Sequence, residues 1–366
     1  MEVVRADREL GNDTDLALLD GSGVLVKSPG IPGEASLVSA ARERGVPVWS
    51  EIELASRLLP NPVLGVTGTN GKTTTTEWLG FMLDAPVAGN VGRALSELDG
   101  EVEAGQLIVC ELSSFQLEDV HEFRPRIAVL LNLEPDHLDR HGSFEAYRDA
   151  KLRIFENQTE ADTAVVPRDL DHKVAARRIE FAADDPLPAE PSLRGMHNRE
   201  NAAAATAAAR AAGADEEQIA RGLREFKGVP HRLELVAERG GVRYVNDSKA
   251  TNVAAALRAL AAYEDEPVRL ILGGSRKGED VAPLAAGLGP NVGAVYVIGE
   301  TADELANAIP DTIHAGDLAT AVERAAAAAQ PGEVVLLSPA CASYDQFRDF
   351  EERGEEFKRL VANLPM

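Results

Sequence analysis

Residues 63–83 constrain the fold more than any other stretch. A β-branched, apolar run over 63–66 leads into GVTGTNGKTTT, residues 65–75, and a helix is expected over 73–83. Strand, glycine-rich loop and helix in that order form the setting in which a backbone cradles phosphates. Gly68 and Gly71 allow close approach to an anion, successive N–H groups point at it, and the helix N-terminus adds partial positive charge. Lys72 is placed to neutralise β/γ-phosphate charge and the Thr73 hydroxyl to ligate Mg²⁺. Counted from Gly65 the spacing is one residue longer than the strict phosphate-loop pattern. Counted from Thr67 it is a TGTNGKT variant. Gly68, Thr69, Asn70, Gly71, Lys72, Thr73 and Thr74 are therefore the expected contacts to a nucleoside triphosphate.

The chain has 366 residues, enough for two or three domains with substantial cores. No apolar run reaches the roughly 20 residues that span a bilayer, and no membrane insertion is expected. The net charge of −23 argues against nucleic acid or an anionic membrane as a partner. Cys110 and Cys341 lack CxxC spacing and read as reduced, packed residues of a cytoplasmic protein. Seven scattered histidines offer no zinc-type cluster.

Short strands are expected at 3–5, 24–27 and 46–49, with a helix at 36–44, before a hinge at Pro60-Asn61-Pro62. Further strands are expected at 107–111, 127–131 and 163–166, and a small-residue helix at 202–212. Beyond His231, strands at 243–246, 269–272, 294–298 and 334–337 alternate with helices such as 319–329. Alternation throughout predicts an α/β protein with parallel sheets covered on both faces. The expected domains are 1–60, 61–229 and 230–366.

Several strand ends carry polar clusters. Glu111 ends LIVCE, where parallel sheets bind ligands and where a carboxylate suits Mg²⁺ on ATP phosphates. His137 and two aspartates sit in NLEPDHLDRH after the next strand. A lone histidine most often makes a structural hydrogen bond, and Lys151 by default is a solvated helix lysine. Asn198 and Asn201 share one helical face; for Asn198, helix capping and an adenine- or phosphate-facing role fit about equally. Arg232, the Asp247/Lys249/Thr251 group and GGSRKG with Lys277 follow later strands.

In order, SPGIP (Ser28, Pro29, Gly30), TGTNGKTTT, GNVG with Asn90, ELSSFQLE, NLEPDHLDRH, AKLRIFEN, HNREN, HRLE, NDSKATN, GGSRKGED and LSPACASYDQFRDFEERGEEF span nearly the whole chain. The ordered set resembles the Mur ligase family. The resemblance is closest to its branch that adds D-glutamate to UDP-N-acetylmuramoyl-L-alanine in peptidoglycan precursor synthesis.

That resemblance implies an N-terminal UDP-substrate domain, a central ATPase-like domain and a C-terminal Rossmann-like domain. It implies an ATP-dependent ligase acting through an acyl phosphate, with Lys72, Glu111, His137 and Lys151 catalytic. Thr73 and Glu111 would hold one Mg²⁺, and His137 with a carbamylated Lys151 a second. Asn198, Asn201, Arg232 and Asp247 would face the nucleotide. Ser28, Pro29, Gly30 and Asn90 would face the muramoyl substrate. Lys249, Thr251, Lys277, Ser343, Tyr344 and Phe350 would surround D-glutamate, Tyr344 replacing a commonly aliphatic residue. A monomer is expected.

Met1 falls near what resembles the family's second strand, so about one βα unit, roughly 30 residues, is expected upstream. The favoured explanation is a misassigned start. Two other readings stand beside the ligase: another amide ligase of the superfamily, including one that extends folate with glutamate, and a non-catalytic ATP-binding relative.

Overall fold

The computed structural model describes residues 3–7, 10–90, 92–193, 195–276 and 280–365, without the Asp139 side chain. The chain divides into two compact units, residues 1–226 and 227–366.

The first unit opens with β1 (Leu25–Lys27) and β2 (Val48–Ser50), a parallel pair flanked by α1 (Ser36–Glu43) and α2 (Glu51–Leu58). Its main sheet comprises β3 (Val63–Thr67), β4 (Val87–Gly89), β5 (Ile108–Glu111), β6 (Ile127–Leu130), β7 (Thr163–Pro167) and β8 (Arg177–Phe181). They are ordered β4-β5-β3-β6-β7-β8 and every pairing is parallel. The helices are α3 (Lys72–Leu83), α4 (Ser114–Leu117), α5 (Leu138–His141), α6 (Phe144–Leu152), α7 (Met196–Ala212) and α8 (Glu216–Glu225). Four consecutive threonines are poor helix formers, yet α3 is helical because Thr73 through Thr76 are buried against its neighbours. Trp78 on α3 is fully buried, stacks on Phe226 at 5.3 Å and donates to the Gly222 carbonyl. Helix starts follow the expected chemistry: Ser143 and Asp215 accept from backbone N–H groups, and Ser113 with Gln116 forms a capping box.

The second unit holds β9 (Glu234–Arg239), β10 (Val242–Asn246), β11 (Val268–Gly273), β12 (Val292–Ile298), β13 (Ile313–Gly316) and β14 (Val334–Leu337), ordered β13-β12-β11-β14-β10-β9. Around them lie α9 (Val253–Ala261), α10 (Ala282–Gly287), α11 (Ala302–Ala308), α12 (Leu318–Ala328) and α13 (Phe350–Ala362). Two apolar clusters, centred on Leu270 and Leu336 and on Ile271 and Leu337, fill the opposite faces of this sheet.

Two readings of the sequence are corrected. Residues 3–5 form no strand, because the Asn12 side chain captures the backbone there: it accepts from Asp7 N at 2.8 Å and donates to Arg5 O at 2.9 Å. The second sheet is also not wholly parallel. β9 and β10 are antiparallel, joined through Gly240 and Gly241, whose φ values of 59° and 77° suit a tight hairpin.

Candidate active site

β3 lies inside its sheet between β5 and β6, so the loop after it emerges where the C-terminal ends of three parallel strands converge. Close approach fixes both glycines of the loop. A Cβ on Gly68 would meet Leu131 Cβ at 2.9 Å, and one on Gly71 would meet Asn201 Oδ1 at 2.3 Å. Gly71 also adopts φ 81° as it turns into α3. The loop after β6 braces this turn. Asn132 Oδ1 accepts from Asn70 N at 2.8 Å, and Thr69 N donates to Asn132 O at 3.1 Å. The Tyr147 hydroxyl donates to Thr69 Oγ1 at 3.1 Å. Burial pushes that phenol up to about 12, so it remains a donor at neutral pH. Asn132 and Tyr147 were given no role in the sequence; the available signals were that Asn132 opens NLEPDHLDRH and that Tyr147 stands one helical turn before Lys151.

Two lysines converge on one carbonyl. Lys72 Nζ donates to Gly68 O and Thr69 O, each at 2.8 Å, and Lys151 Nζ donates to Gly68 O at 2.7 Å. Lys151 is only 2% exposed and lies 4.7 Å above the Tyr147 ring. Its default reading as a solvated lysine is thereby corrected: tertiary packing carries that face of α6 inward. Burial, and then the neighbouring Lys72 charge, lower its pKa to about 7. A large share of Lys151 amines is therefore neutral and nucleophilic at physiological pH.

Glu111 ends β5, buried, and accepts from Asn90 Nδ2 at 3.1 Å; Asn90 N donates to Glu111 O at 2.9 Å. The structure thus pairs two residues that the sequence offered separately. His137 precedes α5 with φ 49° and packs on Phe115, ring centroids 5.0 Å apart. Asn198 and Asn201 are buried on α7, Asn201 directly against Gly71. Ser28, Pro29 and Gly30 follow β1 in a turn closed by Ile31 N donating to Ser28 O at 3.0 Å. Arg140 donates to the Pro29 carbonyl at 2.9 Å.

In the second unit the polar loops again follow the parallel strands. Asp247 comes directly after β10, where burial raises its carboxyl to about 7 against the hydrogen bonds from Ser338 Oγ and Leu233 N. Arg232 lies near it in the preceding loop and lowers that pKa. Lys249 Nζ stands 5.4 Å from the Phe350 ring centroid, and Thr251 N donates to Lys249 O. Ser343 is buried and its carbonyl accepts from Phe347 N at 2.8 Å, while Tyr344 is exposed and its N–H donates to Ser275 Oγ. Lys277 lies outside the described residues.

Arg353, unassigned in the sequence beyond its RG segment, is the hub of this unit. At 1% exposure, it donates to Ser248 Oγ and O at 2.9 Å each, and to Cys341 O and Ala342 O at 3.1 Å each. It thereby ties NDSKATN to PACAS.

Comparison with known proteins accords with this arrangement. Residues 66–185 match the Mur ligase middle domain, and 231–341 match the Mur ligase, glutamate ligase domain. UDP-N-acetylmuramoylalanine--D-glutamate ligase of Anaeromyxobacter dehalogenans is 45% identical over 97% of this chain and 87% of its own length. The protein of the same name from Sphingopyxis alaskensis is 44% identical over the same shares. Among solved structures, MurF ligase from Thermotoga maritima in complex with ADP aligns at TM-score 0.62 and 20% identity, covering 94% of this chain and 97% of that one. Escherichia coli FolC in complex with ADP aligns at 0.61 and 21%, covering 85% and 93%. These distant structures share the fold; the close relatives carry the finer assignment. The chain belongs to the Mur ligase family, in its branch of UDP-N-acetylmuramoylalanine--D-glutamate ligases.

Proposed function

We propose that this chain joins D-glutamate to UDP-N-acetylmuramoyl-L-alanine at the expense of ATP, in the cytoplasm, as a monomer that binds no nucleic acid. The single observation that carries the reading is the convergence of Lys72 and buried Lys151 on the glycine loop after β3. In the proposed reaction the substrate's terminal carboxylate attacks the ATP γ-phosphorus, giving an acyl phosphate and ADP. The D-glutamate amine then attacks the acyl carbon, and inorganic phosphate leaves from the tetrahedral intermediate.

Lys72 lies where phosphoryl charge develops and would stabilise it through fixed electrostatics. Glu111, a buried strand-end carboxylate, and the Thr73 hydroxyl are oxygen donors of the kind a hard divalent cation takes, and the His137 imidazole would add a nitrogen donor. Lys151 fits that set once its neutral amine adds to CO₂, forming a carbamate and releasing a proton. In the proposed assignment Thr73 and Glu111 hold one Mg²⁺, and His137 and carbamylated Lys151 hold a second. Mg²⁺ bound there would offset the charge of the ATP phosphates. Asn198, Asn201, Arg232 and Asp247 are assigned to the nucleotide, and Ser28, Pro29, Gly30 and Asn90 to the UDP-linked substrate. Lys249, Thr251, Lys277, Ser343, Tyr344 and Phe350 are assigned to D-glutamate. Division into domains at 1–60, 61–229 and 230–366 belongs to the same proposal.

The test is phosphate release from ATP and Mg²⁺ with UDP-N-acetylmuramoyl-L-alanine and a panel of amino acids. Release is expected to require D-glutamate and to yield the ligated product by mass. Release that follows another amino acid instead would overturn the substrate assignment.

A further inference from the structure

The segment between β1 and α1 carries SPGIP, and three cations hold it against the chain that follows β5. Lys27, whose side chain is 1% exposed, pairs with Asp119 at 2.6 Å and Glu118 at 3.4 Å, just beyond α4. Arg42 bridges Asp119 at 2.8 Å and donates to the Gly33 carbonyl at 2.9 Å. Arg140 acts at the centre of the segment. Its Nη1 donates to Pro29 O at 2.9 Å and its Nη2 to Ile31 O at 3.0 Å.

Arg140 is itself immobilised. Its guanidinium lies 3.8 Å from the Phe115 ring centroid and 3.7 Å from a Glu118 oxygen. A planar guanidinium can lie flat on a ring while its fork reaches two carbonyls; an ammonium has donors enough for two carbonyls, as Lys72 shows, but no flat face to lay on the ring. Arg140 also shares its helical turn with His137, the residue that precedes α5. The loop assigned to the UDP-linked substrate is therefore registered, through one side chain, to the loop assigned to the phosphate chemistry.

We infer that Arg140 is a positioning residue for the UDP-linked substrate, latching the backbone of residues 29–31 in its binding conformation; this rests on the proposed reading of SPGIP as part of that substrate's site. The latch acts on substrate binding ahead of the chemical step. A loop that must be ordered on binding lowers affinity, whereas one already ordered does not.

The test compares Arg140→Ala and Arg140→Lys with the unaltered chain. Arg140→Ala should raise KM for UDP-N-acetylmuramoyl-L-alanine about tenfold, with KM for ATP shifted less than about twofold and kcat falling less than KM rises. Arg140→Lys, which keeps the charge but loses the flat stacking on Phe115 and the fixed fork, should fall between. Peptide-resolved hydrogen exchange should quicken about tenfold over residues 28–33 in Arg140→Ala, with β5 and β6 unchanged as the check on folding. Unchanged KM for the UDP-linked substrate in both variants would overturn the inference. So would parallel rises in both KM values, which mark general damage to the site. If the unaltered chain does not ligate at all, the proposed function fails, and exchange alone then decides the latch: unaltered exchange over 28–33 refutes it, and faster exchange upholds it.

Discussion

Lys151 in the first unit and Arg353 in the second are both almost wholly buried cations, 2% and 1% exposed, and both donate to backbone carbonyls. Their surroundings differ. Arg353 spreads its donors over Ser248 on one side and Cys341 and Ala342 on the other, so a single fork joins two distant pieces of chain. Burial lowers its pKa only to about 10, and it stays charged at any physiological pH. Lys151 instead shares the Gly68 carbonyl with Lys72, and its pKa near 7 leaves it poised between two charge states. The second unit uses a buried cation to close its loops. The first keeps one that can change its charge or its chemistry, as expected where an anion is to be handled.

The largest effect that could break this contrast is at Lys72. Lys72→Ala should lower D-glutamate-dependent phosphate release by at least about 10³-fold while the chain stays folded. Near-normal turnover would mean that the cations at the glycine loop serve structure after all.

Next comes the direct exchange of roles. Arg353→Met should destabilise the second unit by about 3–5 kcal/mol, because several buried carbonyls lose their donor at once. Lys151→Met should leave the first unit within about 1 kcal/mol, or raise its stability, while activity falls at least about 100-fold. Chemical denaturation followed by segment-resolved exchange reads both. Equal losses of stability would erase the distinction between hub and poised group.

The last effect, small when read per pH unit, sharpens the comparison through pH. Lys151 falls from its ordinary 10.5 to about 7 on folding, so between those values the unfolded chain binds the extra proton. The first unit should therefore gain stability as pH rises from about 7 toward 10, by up to about 1.4 kcal/mol per unit. Asp247 moves the other way, raised from 3.8 to about 7. Its folded form keeps a proton that the unfolded chain releases, so the second unit should lose stability as pH climbs from about 4 through 7. Lys151→Met and Asp247→Asn should each flatten only their own unit's slope.

What the sequence revealed was local. The glycine loop, Glu111 at its strand end and the strand–helix alternation are written in contiguous residues, and β14 falls at the expected positions, Val334–Leu337. What it hid was set by packing across the chain. Lys151 occupies an ordinary amphipathic helix, and only the docking of α6 beneath the glycine loop buries it. Arg353 sits among exposed charges in EERGEEF, so its inward direction depends on where α13 lies on the sheet. β8 and β9, absent from the sequence reading, are edge strands rich in charge, with little of the apolar signal that marks buried strands.

The fit of Gly71 beneath Asn201 has a consequence for how such a protein can change over generations. A side chain at 71 would collide with the asparagine 2.3 Å from its first carbon, whatever its chemistry. A replacement at 71 would also have to hold φ 81°, so it asks two things at once: that the Asn201 side chain turn aside and that a β-carbon sit in the left-handed region. Substitutions at 71 and 201, far apart in the gene, should therefore be coupled in their effects.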